Sequence, residues 1–296
     1  MTIQTVIRPV LSRAWPRGMR TEDIDRRARP ARDPRISVVI PALNEEENLP
    51  HVLPRIPEWI HEVILVPGNS TDGTVEVAQQ LLPRIRIVEQ NGHGKGAALR
   101  SGFRAATGDI IVMLDADGST DPAEIPAFTG ALLAGADYAK GTRFLQGGGT
   151  SDMPIHRQLG NWSFVTATKL LFGGKYSDLL YGYNAFWADV LPLLDVQTNG
   201  FEIETEMNVR ALRRKLRVAE VPSFEAERLF GEAKLQAFPD GMRVLKTLFS
   251  EWRDHLSERL VRRQLGAGQS LAPVRQISSA TRPSPLFDDA ELEKVA

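Results

Sequence analysis

Cysteine is absent from the 296 residues. Disulfides and thiolate metal sites are thereby excluded, and a reducing compartment is allowed. No apolar stretch approaches the roughly 18 residues that a membrane-spanning helix needs. Strong charge of either sign is missing too. The formal net charge is −1, so the molecule is no polyanion binder by bulk electrostatics, and no nucleic-acid partner is expected. The N-terminal stretch MTIQTVIRPVLSRAWPRGMR has neither a continuous apolar region nor a small-residue cleavage pattern. No signal peptide is expected, and a cytoplasmic location is.

What is present is an alternation of short apolar runs and helical patterns. ISVVI (36–40), EVILV (62–66), RIRIVE (84–89) and IIVML (110–114) read as strands. Between them lie NEEENLPHVLPRI (44–56), an irregular helix weakened by its prolines, STDGTVEVAQQLL (70–82) and GKGAALRSGFRAA (94–106). Ala97, Ala98 and Gly102 would let the last of these approach the sheet closely. Asp121 and Pro122 start another helix as N-cap and first residue. This order predicts an α/β fold with a mostly parallel sheet and helices on both faces. Later, 136–144 and 216–222 read as strands, 154–172 and 200–215 as helices, and 223–235 as a mobile loop. Residues 1–35 carry nine arginines from Arg8 to Arg35 against four acids and are expected to be a basic, disordered arm. The domain proper is expected over 36–240, an amphipathic helix over 241–264 and a disordered tail over 265–296.

The strand at 110–114 runs directly into Asp115, Ala116 and Asp117. In parallel sheets ligands bind beyond the carboxyl ends of the strands. There Asp115 and Asp117 meet two further polar loops, PALNE (41–45) and VPGNST (66–71). Two carboxylates at i and i+2 suit Mg²⁺ or Mn²⁺, with substrate phosphates completing the shell. A calcium loop starting at Asp115 is excluded, since its sixth and twelfth positions are Thr120 and Pro126 instead of Gly and Glu. A solvated turn remains the plain alternative. NGHGKGAA (91–98) lacks both the nucleotide-loop and the dinucleotide glycine spacings. Lys95 at a helix start could still hold an anion, or the glycines could simply form a left-handed turn.

VVIPALNEEENL, STDGT, GKGAALRSG, DADGSTDP, GTRF, GFEIETE and VPSFEAERLFGEAKL occur in an order that resembles family 2 glycosyltransferases, most of all the branch acting on dolichyl or polyprenyl phosphate. The resemblance spans about residues 36 to 240. It implies a GT-A fold and inverting transfer from a nucleotide-diphosphate sugar to a lipid phosphate. A small soluble acceptor, or a non-catalytic nucleotide-sugar-binding role, are the alternatives. It further implies Pro41 and Glu45 in the nucleotide pocket and Asp115 and Asp117 as metal ligands, with Ser70, Asp72, Lys95 and Ala116 on the same rim. Arg143 would meet phosphate, and Glu202 and Glu206 would face the acceptor unless they cap their helix. Arg228 and Lys234 would be the basic pair of the loop RLFGEAKL, or else surface charges. The sequence departs from the pattern at Leu43, where tyrosine is usual, and at Pro67–Gly68, where acids are usual. Asp72 is left to read the base or to cap its helix.

In the last helix Met242, Leu245, Leu248, Phe249, Trp252, Leu256 and Leu260 form one stripe beside Arg243, Lys246 and Arg253. It either packs on the domain or gives peripheral contact with an anionic membrane. Trp162, Phe164, Phe172, Phe186 and Trp187 are expected in the core.

Overall fold

The computed structural model describes residues 19–151, 153–232 and 236–264. In chain order its strands and α-helices are β1 (Ile36–Pro41), α1 (Leu49–Val52), β2 (Glu62–Val66), α2 (Thr74–Leu81), β3 (Arg86–Ile87), α3 (Lys95–Ala105), β4 (Ile110–Met113), α4 (Ile125–Leu133), β5 (Tyr138–Thr142), β6 (Gly149–Thr150), α5 (Ile155–Phe172), β7 (Asn184–Trp187), α6 (Leu191–Leu194), α7 (Ile203–Arg213), β8 (Val218–Pro222), β9 (Phe224–Glu225) and α8 (Ala237–Gln264). The seven-stranded sheet has the order β3-β2-β1-β4-β7-β5-β8. All its pairings are parallel except those of β7, which runs against both β4 and β5.

The apolar runs become strands because helices cover both sheet faces. Val38, Val39, Ile40, Ile64 and Leu65 are wholly buried, as central parallel strands require. A Cβ at Gly102 would collide with Val39, so glycine there sets how closely α3 approaches β1. Asp121 caps its turn as expected, accepting from Ala123 N at 2.8 Å, with Pro122 next.

Three expectations are revised. Residues 19–35 are docked, where a disordered arm was expected. Arg26 binds Asp137 through two nitrogens at 2.8 and 2.9 Å. Arg29 reaches the same carboxylate at 2.7 Å and Asp189 at 2.8 Å. Secondly, 223–235 reads as a mobile loop, yet its start forms β9, which pairs in parallel with β6. Thirdly, Trp162 is 67% exposed, while Phe186 and Trp187 are core residues. The chain divides at His255–Leu256. Before that boundary α8 contributes Val244 and Leu248 to a small apolar cluster with Tyr176, Leu179 and Val209. After it, residues 256–264 are the remaining helical turns. The expected tail, 265–296, lies outside the described residues.

Asp137 is fully buried beneath Arg26, Arg29 and Arg217. Burial alone would raise its pKa, but hydrogen bonds from Arg26, Arg217 and Arg29 outweigh it and hold the carboxyl well below its ordinary range. A depressed acid stabilises the fold above its unfolded pKa near 4 and loses that contribution as pH falls through the folded value. Asp137→Asn should cost about 3 kcal/mol, the low end for breaking a buried pair, since Arg26 and Arg217 can rehydrate. Its deficit against the wild type should shrink in strong acid. Urea denaturation at pH 7 and pH 3 checks both; an undiminished deficit at low pH would refute the assignment.

Candidate active site

The strand order reverses beside β1. Its chain continuation leads to β2 on one side, while β4 flanks it on the other. At the carboxyl ends of β1 and β4 a cavity of about 590 Å³ opens. Pro41 ends β1 and Ala42, Leu43 and Glu45 follow it, while Asp115, Ala116 and Asp117 follow β4, all lining the cavity. Gly68, Asn69, Gln90 and His93 form one end, and Met153, Asn161, Phe164 and Val244, from α5, its approach and α8, the other.

Each carboxylate of the Asp115/Asp117 pair meets a cation that also serves a glutamate from elsewhere. Lys95 Nζ lies 2.7 Å from Asp115 and 2.8 Å from Glu204. Arg228 lies 3.2 Å from Asp117 and 2.5 Å from Glu45. Burial works against the Lys95 ammonium, yet the charges of Asp115 and Glu204 outweigh it and raise its pKa. Burial raises Asp115, and the neighbouring charge of Asp117 adds to this, with Lys95 only partly compensating. Glu204 is raised likewise, first by burial. Ser119 orients Asp117, donating to Oδ1 from its N at 3.0 Å and its Oγ at 2.6 Å.

The glycines around Lys95 serve backbone contact. Cβ atoms at Gly94 and Gly96 would strike the carbonyls of Asn199 and Thr198. The loop carrying Arg228 is pinned over the carboxylate turn, where sequence suggested mobility. Ala226 N donates to Ser119 O at 2.9 Å, Leu229 N to Asp117 O at 3.2 Å and Phe230 N to Asn48 Oδ1 at 2.9 Å. Lys234 lies outside the described residues.

Other expected residues lie elsewhere or are already engaged. Arg143 touches the cavity, but its guanidinium is bound to Asp178 at 2.7 and 2.9 Å and to Glu225 at 2.9 Å. Its charge is thus balanced inside the protein. Glu206 faces away from the cavity and accepts from Thr198 N and Oγ1 at 2.9 and 2.7 Å and from Arg210 at 2.8 Å. Glu202 folds back on Gly200 N at 3.2 Å. The acid of α7 that does line the cavity is Glu204, which Glu202 and Glu206 bracket in sequence. Ser70 ties two loops together, accepting from Asn44 N at 2.9 Å and donating to Pro67 O at 2.6 Å. Asp72 holds the turn that enters α2, accepting from Thr74 N at 3.1 Å and Thr74 Oγ1 at 2.5 Å.

Asp115 and Asp117 offer hard oxygen donors whose mutual repulsion a divalent cation would relieve, a set that fits Mg²⁺ or Mn²⁺. Among the described residues no group of three or more His, Cys, Asp or Glu forms a closed metal cage. Further ligands would then come from phosphate and water. Sequence reasoning passed over α5 as a cavity wall. The signal available was its stripe Ile155, Leu159, Trp162 and Leu170, each at least 60% exposed.

A family model, glycosyl transferase family 2, matches residues 37–191. The chain is 31% identical over 213 residues to undecaprenyl-phosphate mannosyltransferase of Micrococcus luteus, covering 68% of this chain and 87% of the relative. It is 31% identical over 233 residues to polyprenol monophosphomannose synthase of Mycolicibacterium smegmatis, covering 74% and 86%. Among solved structures, glucosyl-3-phosphoglycerate synthase from Mycobacterium tuberculosis, in complex with Mn²⁺, uridine diphosphate and glucosyl-3-phosphoglycerate, has a TM-score of 0.58. That likeness covers 74% of this chain and 80% of the other at 23% identity, and shows the GT-A fold. This chain belongs to glycosyl transferase family 2.

Proposed function

We propose that this enzyme moves a hexosyl group, with inversion, from a nucleotide-diphosphate sugar to a polyprenyl phosphate at a membrane surface. The observation that carries this reading is one cavity with two contrasting ends. The end at β1 and β4 gathers Asp115, Asp117, Lys95 and Arg228. The other runs between α5 and α8, whose outer faces expose Ile155, Leu159, Trp162 and Leu170, and Phe238, Met242, Leu245 and Phe249. Such a concentration of exposed apolar side chains, with Arg243 and Lys246 beside it, supports peripheral contact with an anionic bilayer. No helix among the described residues is long and apolar enough to cross one. The two relatives named above act, by their names, on undecaprenyl phosphate and polyprenol.

Asp115 and Asp117 would hold Mg²⁺ or Mn²⁺, which supplies electrostatic stabilisation of the departing diphosphate. Ser119 keeps Asp117 aimed into the cavity. Arg228 and Lys95 add fixed positive charge beside the same oxygens, where a water-poor cleft makes it most effective. A phosphate acceptor is already anionic and needs no strong base, so Glu204, held by Lys95, positions rather than deprotonates. The test is transfer from radiolabelled nucleotide sugars to undecaprenyl phosphate in anionic vesicles with Mn²⁺. Label should enter the organic phase; transfer only to water-soluble acceptors would refute the reading.

The nucleoside end carries Asn69, Gln90 and His93, and Pro67 and Gly68 stand where acids are usual in this family. Asp72 is committed to its helix, and Glu45 to Asn48 and Arg228. Affinity should therefore come mainly from the diphosphate and the metal. UDP and GDP are expected to bind within about tenfold of each other, or about 1.4 kcal/mol. Calorimetry with both at fixed Mn²⁺ checks this, and a preference beyond roughly a hundredfold would reveal a residue that reads the base.

A further inference from the structure

Arg143 is neutralised inside the protein, which leaves the GTRF motif without a direct part in the reaction. Together with Lys140 before it, the motif instead grips one segment of chain. Residues 177–183 lie between α5 and β7 and belong to no helix or strand. Lys140 Nζ donates to Tyr181 O at 2.8 Å, and Gly141 N to Tyr183 O at 2.9 Å. Thr142 Oγ1 and Ser177 Oγ are 2.6 Å apart. Arg143 holds Asp178 through two nitrogens at 2.7 and 2.9 Å. Four consecutive residues thus bind one strap. A Cβ at Gly141 would strike Tyr183 O and the Tyr181 ring, so glycine there lets the strap lie against β5.

The strap also forms an inner wall of the active site. Leu180 and Gly182 line the cavity. A Cβ on Gly182 would fall 2.9 Å from Asp115 Oδ2, 3.0 Å from Lys95 Nζ and 3.3 Å from Glu204 Oε1. No left-handed backbone demands glycine at this position. Its reason is the close approach, and the strap's position sets the room left to those three charged groups.

Lys140 is the unusual member of the grip. Its side chain is fully buried, and its bonds to Tyr181 O and, at 2.7 Å, to Gly141 O both go to main-chain carbonyls. Burying an ammonium is costly, so a reason for it is wanted. Desolvation pushes its pKa down to about 8 against the opposing charge of Asp178. The charged and titratable groups facing it are Asp178 and Tyr181 on the strap, Arg143 beyond β5, Glu220 on β8 and Glu204 on α7. Burial raises Tyr181. For Asp178 burial is outweighed by the charges of Arg143 and Lys140, which lower it.

We propose that Lys140 is a positioning residue for glycosyl transfer: its ammonium holds the Tyr181 carbonyl, and so keeps the Gly182 wall at the distance that Asp115, Lys95 and Glu204 require. This rests on the transfer reaction proposed above. Turnover is followed as nucleoside-diphosphate release, which counts transfer to any acceptor, so failure of the lipid-acceptor reading leaves the comparison intact. Calorimetry with UDP and Mn²⁺ counts the competent sites. Lys140→Met should lower kcat per site by about tenfold or more, since small misplacements at a reacting centre are costly. Its affinity for UDP with Mn²⁺ should stay within about twofold of wild type. Wild-type kcat should decline as pH rises through about 8, because a neutral amine is the weaker donor, and Lys140→Met should lack this decline. Gly182→Ala should lower kcat as well. Unchanged kcat per site in Lys140→Met, with or without a loss of sites, makes the lysine merely structural and overturns the proposal. So does an alkaline decline that the variant retains. Should Lys140→Met not fold, the other two proteins decide. A wild-type kcat that is flat through pH 8, or wild-type turnover in Gly182→Ala, overturns the proposal, and the opposite pair of results upholds it.

Discussion

Asp117→Asn is expected to lower kcat/KM by at least about a hundredfold, or about 2.7 kcal/mol of transition-state stabilisation. The substitution preserves shape but removes one of the two charges facing the leaving diphosphate. It also frees Arg228, which Asp117 shares with Glu45. The Ser119 donors that aim the carboxylate at the cavity can still reach an amide oxygen, so the loop should keep its conformation. The loss should therefore appear in turnover and in Mn²⁺ affinity, with thermal stability within a few degrees of wild type. Steady-state kinetics with Mn²⁺ titration and a melting curve separate the two. Wild-type activity of the variant after exhaustive chelation would exclude a metal role for this residue.

Lys95→Met should show the largest combined effect. The ammonium is the shared counter-ion of Asp115 and Glu204, and all three side chains are mostly buried. Without it two desolvated carboxylates face each other, a situation that typically costs about 3–5 kcal/mol. For a domain of this size that is roughly 10 °C in Tm. The pH dependence has a definite sign. Asp115 and Glu204 already have raised pKa values, so the folded state binds their protons more tightly than the unfolded chain does. Stability from such groups falls as pH rises above the unfolded values near 4. Removing Lys95 pushes both further up, and the variant should gain stability between pH 7 and pH 5. Lys95 itself, raised above its unfolded value near 10.4, contributes fully below that pH and loses its contribution only as pH rises through the folded value. Melting curves of both proteins across this range test it. A variant as stable as wild type at pH 7 would mean that the three groups are not coupled.

Much of the first half was legible because its information is local. The runs at 36–40, 62–66 and 110–114 are apolar throughout, as only strands covered on both faces can be. Asp121-Pro122 carries its own capping chemistry. The placement of Asp115 and Asp117 follows from a strand ending where the chain turns, and the motif order named the family.

What the tertiary structure alone decided involves partners far apart in sequence. β7 inserts antiparallel between β4 and β5, and nothing within NAFW specifies a direction. Arg143 carries the same charge whether it meets a substrate phosphate or, as here, Asp178 and Glu225, 35 and 82 residues away. The helical period does put Glu202 and Glu206 on one face of α7 and Glu204 on the other. Which face meets the cavity depends on how α7 docks, and it turns Glu204 inward to Lys95. The last helix shows the same division. Its sequence announces an amphipathic stripe, but docking buries Val244 and Leu248 and leaves Met242, Leu245 and Phe249 outside. Local sequence sets periodicity, capping and turn chemistry through short-range sterics and hydrogen bonds. The side on which each charge ends is chosen by the burial energy of whole elements, which no short stretch contains.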